Sequence, residues 1–212
     1  MKIQTMKRTI IVAALAGFIL TSCSENSREA TTHETAQHDS TTHEETEAAE
    51  TEIVVQAPDY TSVAGPVKEQ LKAVVESYLT LKDNLVASDA QKASESAKAV
   101  LAVAEKTDLS TLQGEQKTFA EERLTTIKKA ATTMAGTTDI EAQRTELQSL
   151  SEATFALAKA FGAADETLYY QFCPMAFNDQ GAYWLSSKEE IRNPYFGAAM
   201  LKCGSNKEVY KQ

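Results

Sequence analysis

Four sulfur-bearing residues near the C-terminus are the side chains of this sequence best suited to chemistry. Cys173 and Met175 stand two residues apart, and Met200 and Cys203 stand three apart. Thiolate and thioether sulfur are soft ligands that select Cu(I) or Ag(I), whereas carboxylates and waters suit hard ions. Residues two apart share one face of a strand, and residues three apart share one face of a helical turn. Each pair can present both sulfurs together, and convergence of the two pairs would create a metal site for a soft monovalent ion.

The same two cysteines also predict a disulfide, provided that the chain is exported. Two cysteines in an oxidising compartment most simply pair with each other. A bridge between Cys173 and Cys203 would close a loop of about 30 residues and contribute about 3–4 kcal/mol in the chain-entropy model. Met175 and Met200 would then be ordinary core side chains. Both interpretations require the two thiols to lie close together in the fold.

The sequence offers little for catalysis or for other cofactors. After residue 60 it contains no histidine, no Gly-rich phosphate loop, no Cys-x-x-Cys pair and no haem-attachment motif. A cysteine nucleophile would need a base, and none is apparent. Zn(II) fits less well than Cu(I), because structural zinc sites use four Cys or His ligands. We therefore expect a protein that is not an enzyme and has no cofactor beyond Cu(I) or Ag(I).

The N-terminus has the pattern of an export signal. Three basic residues among the first eight precede an apolar run at 10–20, which is too short to span a bilayer and suits a secretory signal. Residues 20–23 read LTSC and resemble the lipobox of bacterial lipoproteins. The resemblance implies that residues 1–22 are removed and that Cys23 is acylated, which would anchor the chain on the periplasmic or outer-membrane face of the cell envelope. The alternative is an ordinary cleaved signal followed by a stray cysteine.

The segment after Cys23 has the composition of a tether. Residues 24–59 carry ten acidic side chains against one arginine, a net charge of −9, whereas residues 60–212 carry only −3. Such a segment has almost nothing to bury, and we predict a disordered acidic tether over residues 23–60. A basic surface for nucleic acid is missing from this charge pattern, so a nucleic-acid partner is not expected.

All three histidines lie in this tether, and the motif TTHE occurs twice around them. His33, His38 and His43 are spaced by five among carboxylates, and imidazole could loosely capture Cu(II), Zn(II) or Ni(II). The alternative is a solvated Thr/Glu spacer that happens to include histidine. We favour the spacer.

The next segment, residues 61–164, predicts a helical bundle. Apolar residues recur every three to four positions in four successive stretches, which favours four amphipathic helices joined by short loops. Helix starts are expected at Ser88 or Asp89 and at Thr138 or Asp139, and Gly162 fits a helix stop. The fold class is therefore mainly α, an antiparallel up-and-down four-helix bundle. Di-metal bundles use a Glu-x-x-His motif, and without histidine we expect this bundle to be scaffold.

The last segment, residues 165–212, differs in composition and holds nine of the fifteen aromatic residues. TLYYQFC alternates like a strand, and the turn NDQG separates it from AYWLS, which allows a short β-hairpin. We predict a small, irregular appendix that carries the Cys and Met pairs. Its expected anchors on the bundle are Trp184, Tyr195 and Phe196.

Residues 173–204 read CPMAFNDQGAYWLSSKEEIRNPYFGAAMLKCG. This run resembles the C-terminal signature of a domain of unknown function in bacterial envelope proteins, which also occurs appended to periplasmic adaptor subunits of copper and silver efflux pumps. Residues 139–161 resemble the helix before that signature, and the resemblance covers roughly residues 61–205. It implies a role in heavy-metal handling beside an efflux component. The family often carries His around Gln143–Arg144, whereas this chain has Ala142 and Glu146.

Overall fold

The computed structural model describes residues 53–211, and four long helices occupy the first part of this range. Each helix packs against the next, and the first also packs against the fourth, which closes an up-and-down four-helix bundle. The predicted mainly helical fold class is confirmed. The helices are α1 (Gly65–Val86), α2 (Ala90–Lys106), α3 (Gly114–Ala135) and α4 (Ile140–Phe161).

The helix boundaries follow from local side-chain chemistry. The Asp89 carboxylate accepts a hydrogen bond from the Lys92 N–H at 3.0 Å and caps α2. Asp139 caps α4 in the same way, by accepting from Glu141 N–H at 3.0 Å. Gly162 ends α4 in the left-handed conformation, with φ of 62°. These positions are among those at which the sequence predicts starts and stops.

A three-stranded antiparallel sheet follows the bundle. Its order is β2-β1-β3, so β1 is the central strand and pairs with both neighbours. The predicted hairpin corresponds to β1 and β2, whereas the third strand was not expected. The elements after the bundle are β1 (Leu168–Cys173), a four-residue helical turn α5 (Ala176–Asp179), β2 (Ala182–Ser186), a 3-10 helix (Gly197–Met200) and β3 (Ser205–Tyr210).

Helix α4 lies between the bundle and the sheet. It packs against α1 and α3 on the bundle side and against β2 on the sheet side. Thirteen of its 22 residues are buried, more than in any other helix of the described range. The ring of Phe155 stacks on Tyr170 of β1 at 4.9 Å between centroids. One helix therefore joins both parts of the molecule through packed apolar surface.

The sheet side of this core contains the expected aromatic anchors. Trp184 is fully buried and Tyr195 is nearly so, with ring centroids 6.1 Å apart, whereas Phe196 is half-buried. Burial raises the pKa of Tyr195 well above its ordinary value. Of the three expected anchors, the first two belong to the core.

The hydroxyl of Tyr78 links α1 to the sheet. It accepts the backbone N–H of Leu185 in β2 at 3.0 Å and lies 2.6 Å from the hydroxyl of Ser151 in α4. Tyr78 is fully buried, and this burial raises its pKa above the ordinary value. The phenol therefore satisfies a buried backbone donor that would otherwise have lost its hydrogen bond to water.

Residues 53–60 lie on the folded domain, although the predicted tether extends to residue 60. The backbone N–H groups of Val54 and Val55 donate to the Glu208 carboxylate at 2.8 and 2.9 Å. Lys159 of α4 donates to Val55 O at 2.6 Å and forms an ion pair with Glu208. Ile53, Val54 and Val55 also supply the apolar residues that the acidic segment before them lacks. We call residues 53–60 the N-terminal strap.

The expected signal peptide, residues 1–22, and the tether before Ile53 lie outside the described residues. Within residues 53–211, none of the helices combines the length and the apolar character that crossing a membrane requires.

We predict that Tyr78→Phe lowers the free energy of unfolding by about 1–3 kcal/mol, because it leaves the buried Leu185 N–H without its acceptor. Tyr60→Phe is the matched control, since the half-buried Tyr60 ring packs on Phe161 and this contact is retained; its effect should stay within about 0.5 kcal/mol. Urea unfolding of both variants measures the difference. Equal free energies of unfolding for the two variants would contradict the role given to the Tyr78 hydroxyl.

Candidate functional site

Strand register brings the two cysteines together. Cys173 is the last residue of β1, and its neighbour Phe172 pairs with Ser205 at the start of β3. The antiparallel ladder therefore runs towards Gly204 beside Cys173, and Cys203 follows one residue further along. The two sulfur atoms lie 3.3 Å apart, and both residues are free cysteines. This distance exceeds the bond length of a disulfide, about 2.05 Å.

Gly204 permits this close approach. Its φ is +143°, a region that favours glycine, and a Cβ atom there would lie 2.8 Å from both Phe172 O and the Trp184 ring. The chain next to Cys203 can therefore run directly over β1 and the indole. A larger residue at this position would push the Cys203 segment away from Cys173.

The two thiols differ in their surroundings. Cys173 is fully buried, whereas Cys203 is half-buried. The hydrogen-bonding contact with the Cys173 sulfur raises the pKa of Cys203, and partial burial and the charge of a Cys173 thiolate act in the same direction. Cys203 is thus held in its protonated form at neutral pH, unlike the low-pKa cysteines of thiol oxidoreductases. The arrangement suits a ligand or disulfide pair better than a catalytic thiol.

Met175 does not share a strand face with Cys173. The strand ends at Cys173, and Met175 lies in the turn that leads into α5. Its side chain is 46% exposed, whereas Cys173 is fully buried. The expected common face of this pair is therefore wrong, because Pro174 and the following turn replace the extended backbone on which the expectation depends.

The turn after Met175 is conformationally unusual. Three consecutive residues, Phe177, Asn178 and Asp179, have positive φ of 53°, 56° and 63°. Residues other than glycine adopt this left-handed conformation at a cost of about 1–3 kcal/mol each in the sparsely populated regions. Phe177 offsets part of this cost by packing edge-on against Tyr195, with centroids 5.4 Å apart.

Met200 and Cys203 lie on a turn. Met200 ends the 3-10 helix, and its carbonyl accepts the backbone N–H of Cys203 at 3.0 Å. Met200 is half-buried. The structure therefore brings the two thiols into contact, while each methionine lies two or three residues from one of them along the chain.

Sequence reasoning missed the contribution of Asn193. The Asn193-Pro194 pair is typical of a turn, but the fully buried Asn193 side chain also donates from Nδ2 to the Cys203 carbonyl at 2.8 Å. The Asn-Pro pair signals a turn and carries no indication of this longer-range contact.

Other candidate ligands do not add to the site. Within residues 53–211, His, Cys, Asp and Glu side chains form no group of three or more that could hold a metal ion. His33, His38 and His43 and the expected lipid-bearing Cys23 lie outside the described residues. The sulfur residues at the end of the sheet are thus the donor set that the described part of the chain offers to a soft ion.

Comparison with known proteins gives one match. Residues 74–166 match the family model described as "Protein of unknown function (DUF3347)". This span covers less than half of the chain, runs from α1 to the residues after α4, and ends before Cys173. No curated protein and no solved structure matches the chain. The chain therefore contains a domain of unknown function in its bundle, and that match does not extend to the sulfur residues.

Proposed function

We propose that this chain is a lipid-anchored envelope protein that binds a soft monovalent ion, Cu(I) or Ag(I), through its C-terminal sulfur residues. Cys173 and Cys203 would be the principal ligands, with Met175 and Met200 as thioether donors. The proposed role is that of a non-enzymatic accessory in copper or silver homeostasis, which would pass the ion to an efflux component.

One observation carries this proposal: two free thiols lie 3.3 Å apart, with a methionine close to each in sequence. Thiolate and thioether sulfur are the ligands that Cu(I) and Ag(I) prefer. The contact is prearranged by strand pairing, so binding would require little ordering of the chain. The likeness of residues 173–204 to the signature found appended to copper and silver efflux adaptors also supports binding of Cu(I) or Ag(I).

The exposure of Met175 favours a ligand over a structural staple. If the cysteines formed only a structural disulfide, the nearby methionines should be ordinary core side chains. Met175 is 46% exposed and is one of two large hydrophobic side chains exposed in the described range. A thioether in such a place is available to an incoming ion.

The alternative is a structural or protein-interaction module stapled by a Cys173–Cys203 disulfide and without metal. The same 3.3 Å contact and the complete burial of Cys173 support it. An oxidising envelope would also favour it. Intact mass distinguishes the two, because a disulfide removes two hydrogens.

We predict that the reduced full chain, purified in detergent, takes up one Cu(I) against a competing chelator. Cys203→Ser should weaken binding by more than about 100-fold, since loss of a ligand exceeds the 10–100-fold effect typical of an outer-shell partner. Met175→Leu/Met200→Leu should also weaken it, at nearly conserved volume. A mass lower by two hydrogens in the protein as isolated, together with no Cu(I) uptake after reduction, would leave only the disulfide module.

Two matched variants complete this titration. Met134→Leu changes a buried methionine of the bundle core and should leave the affinity unchanged. Replacement of His33, His38 and His43 by Ala tests the tether, and an unchanged affinity is expected for Cu(I). A large loss in the histidine variant would move the proposed site to the tether.

We predict that the affinity for Cu(I) weakens as pH falls from 8 to 6. The pKa of Cys203 is raised, so its proton must be displaced when a thiolate binds the ion. The apparent dissociation constant should rise by up to about tenfold per pH unit for each displaced proton. The Met175→Leu/Met200→Leu variant should keep this slope, because thioethers carry no proton. An affinity independent of pH would contradict thiolate ligation.

We predict that Cys23→Ala moves the protein from the membrane fraction to the soluble fraction, because several acyl chains on one residue are needed for firm anchoring. Detergent phase partitioning of the wild type and the variant measures the change. Ser22→Ala is a neighbouring control and should remain with the membrane. Retention of Cys23→Ala on the membrane would argue against a lipid anchor at this residue.

A further inference from the structure

Cys203 lies outside the sheet, in the connection between β2 and β3. This connection, residues 187–204, contains the 3-10 helix and otherwise turns, bends and irregular backbone. The ladder hydrogen bonds of the sheet therefore do not fix Cys203 directly. Its distance from Cys173 therefore depends on how the connection is closed as well as on the pairing of β1 with β3.

Asn193 closes the connection with its backbone. Its N–H donates to Leu201 O at 2.8 Å, and its own carbonyl accepts the N–H of Gly197 at 3.1 Å. These two bonds join one residue to both sides of the 3-10 helix. Asn193 is fully buried, so water does not compete for the bonds.

The side chain of Asn193 uses its two polar atoms for different contacts. Oδ1 accepts the backbone N–H groups of Tyr195 at 2.8 Å and Phe196 at 3.3 Å, which shapes the Asn-Pro turn. Nδ2 reaches across the connection and donates to Cys203 O at 2.8 Å. The amide thus ties the turn at residue 193 to the residue that carries the second thiol.

The bundle holds the other side of this turn. Arg144 of α4 is 7% exposed and donates from Nε to Pro194 O at 2.9 Å. The same guanidinium donates to Ser88 Oγ at 3.0 Å and pairs with Glu141. A continuous series of contacts therefore runs from α4 through Arg144, Pro194 and Asn193 to Cys203.

We infer that Asn193 is a positioning residue for the thiol pair: its Nδ2 hydrogen bond to Cys203 O holds the Cys203 sulfur against Cys173. The geometry of the reduced pair carries this inference. Its extension to metal affinity rests on the proposed function.

Asn193→Asp tests the inference with little change in shape. An aspartate keeps an acceptor for Tyr195 and Phe196, but at neutral pH it has no donor for Cys203 O. Asn206→Asp is the control for the same chemical change at an exposed position, because Asn206 Nδ2 donates to Glu189 O at 3.1 Å while its Oδ1 accepts from Gln171. Both changes remove one hydrogen bond donated by a side-chain amide, but only Asn193→Asp removes a bond to a cysteine residue.

The first measurement is the thiol–disulfide equilibrium of the folded full chain with glutathione, in a Cys23→Ala background that leaves two cysteines. The two protein thiols are oxidised to a disulfide while one glutathione disulfide is reduced to two glutathione thiols, so hydrogens and electrons balance. Asn193→Asp should lower the effective concentration of one protein thiol towards the other by about tenfold or more. Asn206→Asp should change it by less than about twofold.

The second measurement is Cu(I) affinity of the same reduced proteins, where a parallel loss of about tenfold is expected for Asn193→Asp. If the wild type binds no Cu(I) while the glutathione equilibrium shifts as expected, the positioning role is supported and the proposed metal function fails. If the equilibrium of Asn193→Asp matches the wild type, the inference is overturned, whatever the copper result.

A second variant covers a failure of Asn193→Asp to fold, which circular dichroism would reveal. Asn193→Ser introduces no buried charge, and its hydroxyl can still shape the turn but is too short to reach Cys203 O. The same loss in effective concentration is expected. An unchanged value in a folded Asn193→Ser protein would equally overturn the positioning role.

Discussion

Helix α4 must bury two surfaces at once, and the rest of the described structure depends on this constraint. Its bundle side packs on α1 and α3, and its other side receives β2. A helix with a single apolar stripe can pack against a bundle on one side only. Helix α4 is buried on two sides, and its buried residues therefore include polar ones such as Gln143, Ser151 and Thr154. The hydroxyls of Ser151 and Thr154 are tolerated because they donate to carbonyls one turn earlier. Gln143 is satisfied on one side only: its Nε2 donates to Thr137 O, whereas its buried Oε1 has no partner within residues 53–211. The sheet is thereby part of the same core as the bundle.

The sequence is most informative where structure is decided locally. Apolar spacing identifies the four helices, and Asp89, Asp139 and Gly162 mark boundaries because a cap needs only the neighbouring backbone. The third strand was missed for the opposite reason. β3 reads SNKEVY, has little apolar alternation, and pairs with β1 across a register shift at Tyr170/Gln171. Its stability comes from a partner more than thirty residues away, which no local pattern reveals.

At the sulfur site, too, the sequence reveals the residue types but not the contacts between them. Its cysteines are visible as residue types, but their contact depends on the pairing of β1 with β3, and the exposure of Met175 depends on where β1 ends. Period-two spacing predicts a shared face only while the backbone stays extended. The extended backbone ends at Cys173, and Pro174 and Met175 already form a turn. Similarly, Arg144 follows a helical pattern that says nothing of Pro194, because that contact joins α4 to a loop fifty residues later.

The hydrogen bonds between the N-terminal strap and Glu208 have a consequence for modularity. The backbone of Val54 and Val55 binds the carboxylate of Glu208 in β3, so the two ends of the described range, 53–211, lie close together. A domain whose entry and exit points meet can be joined to another protein, or inserted in one of its loops, without stretching either partner. The Lys159–Glu208 ion pair would hold the two ends of the described range together at that junction.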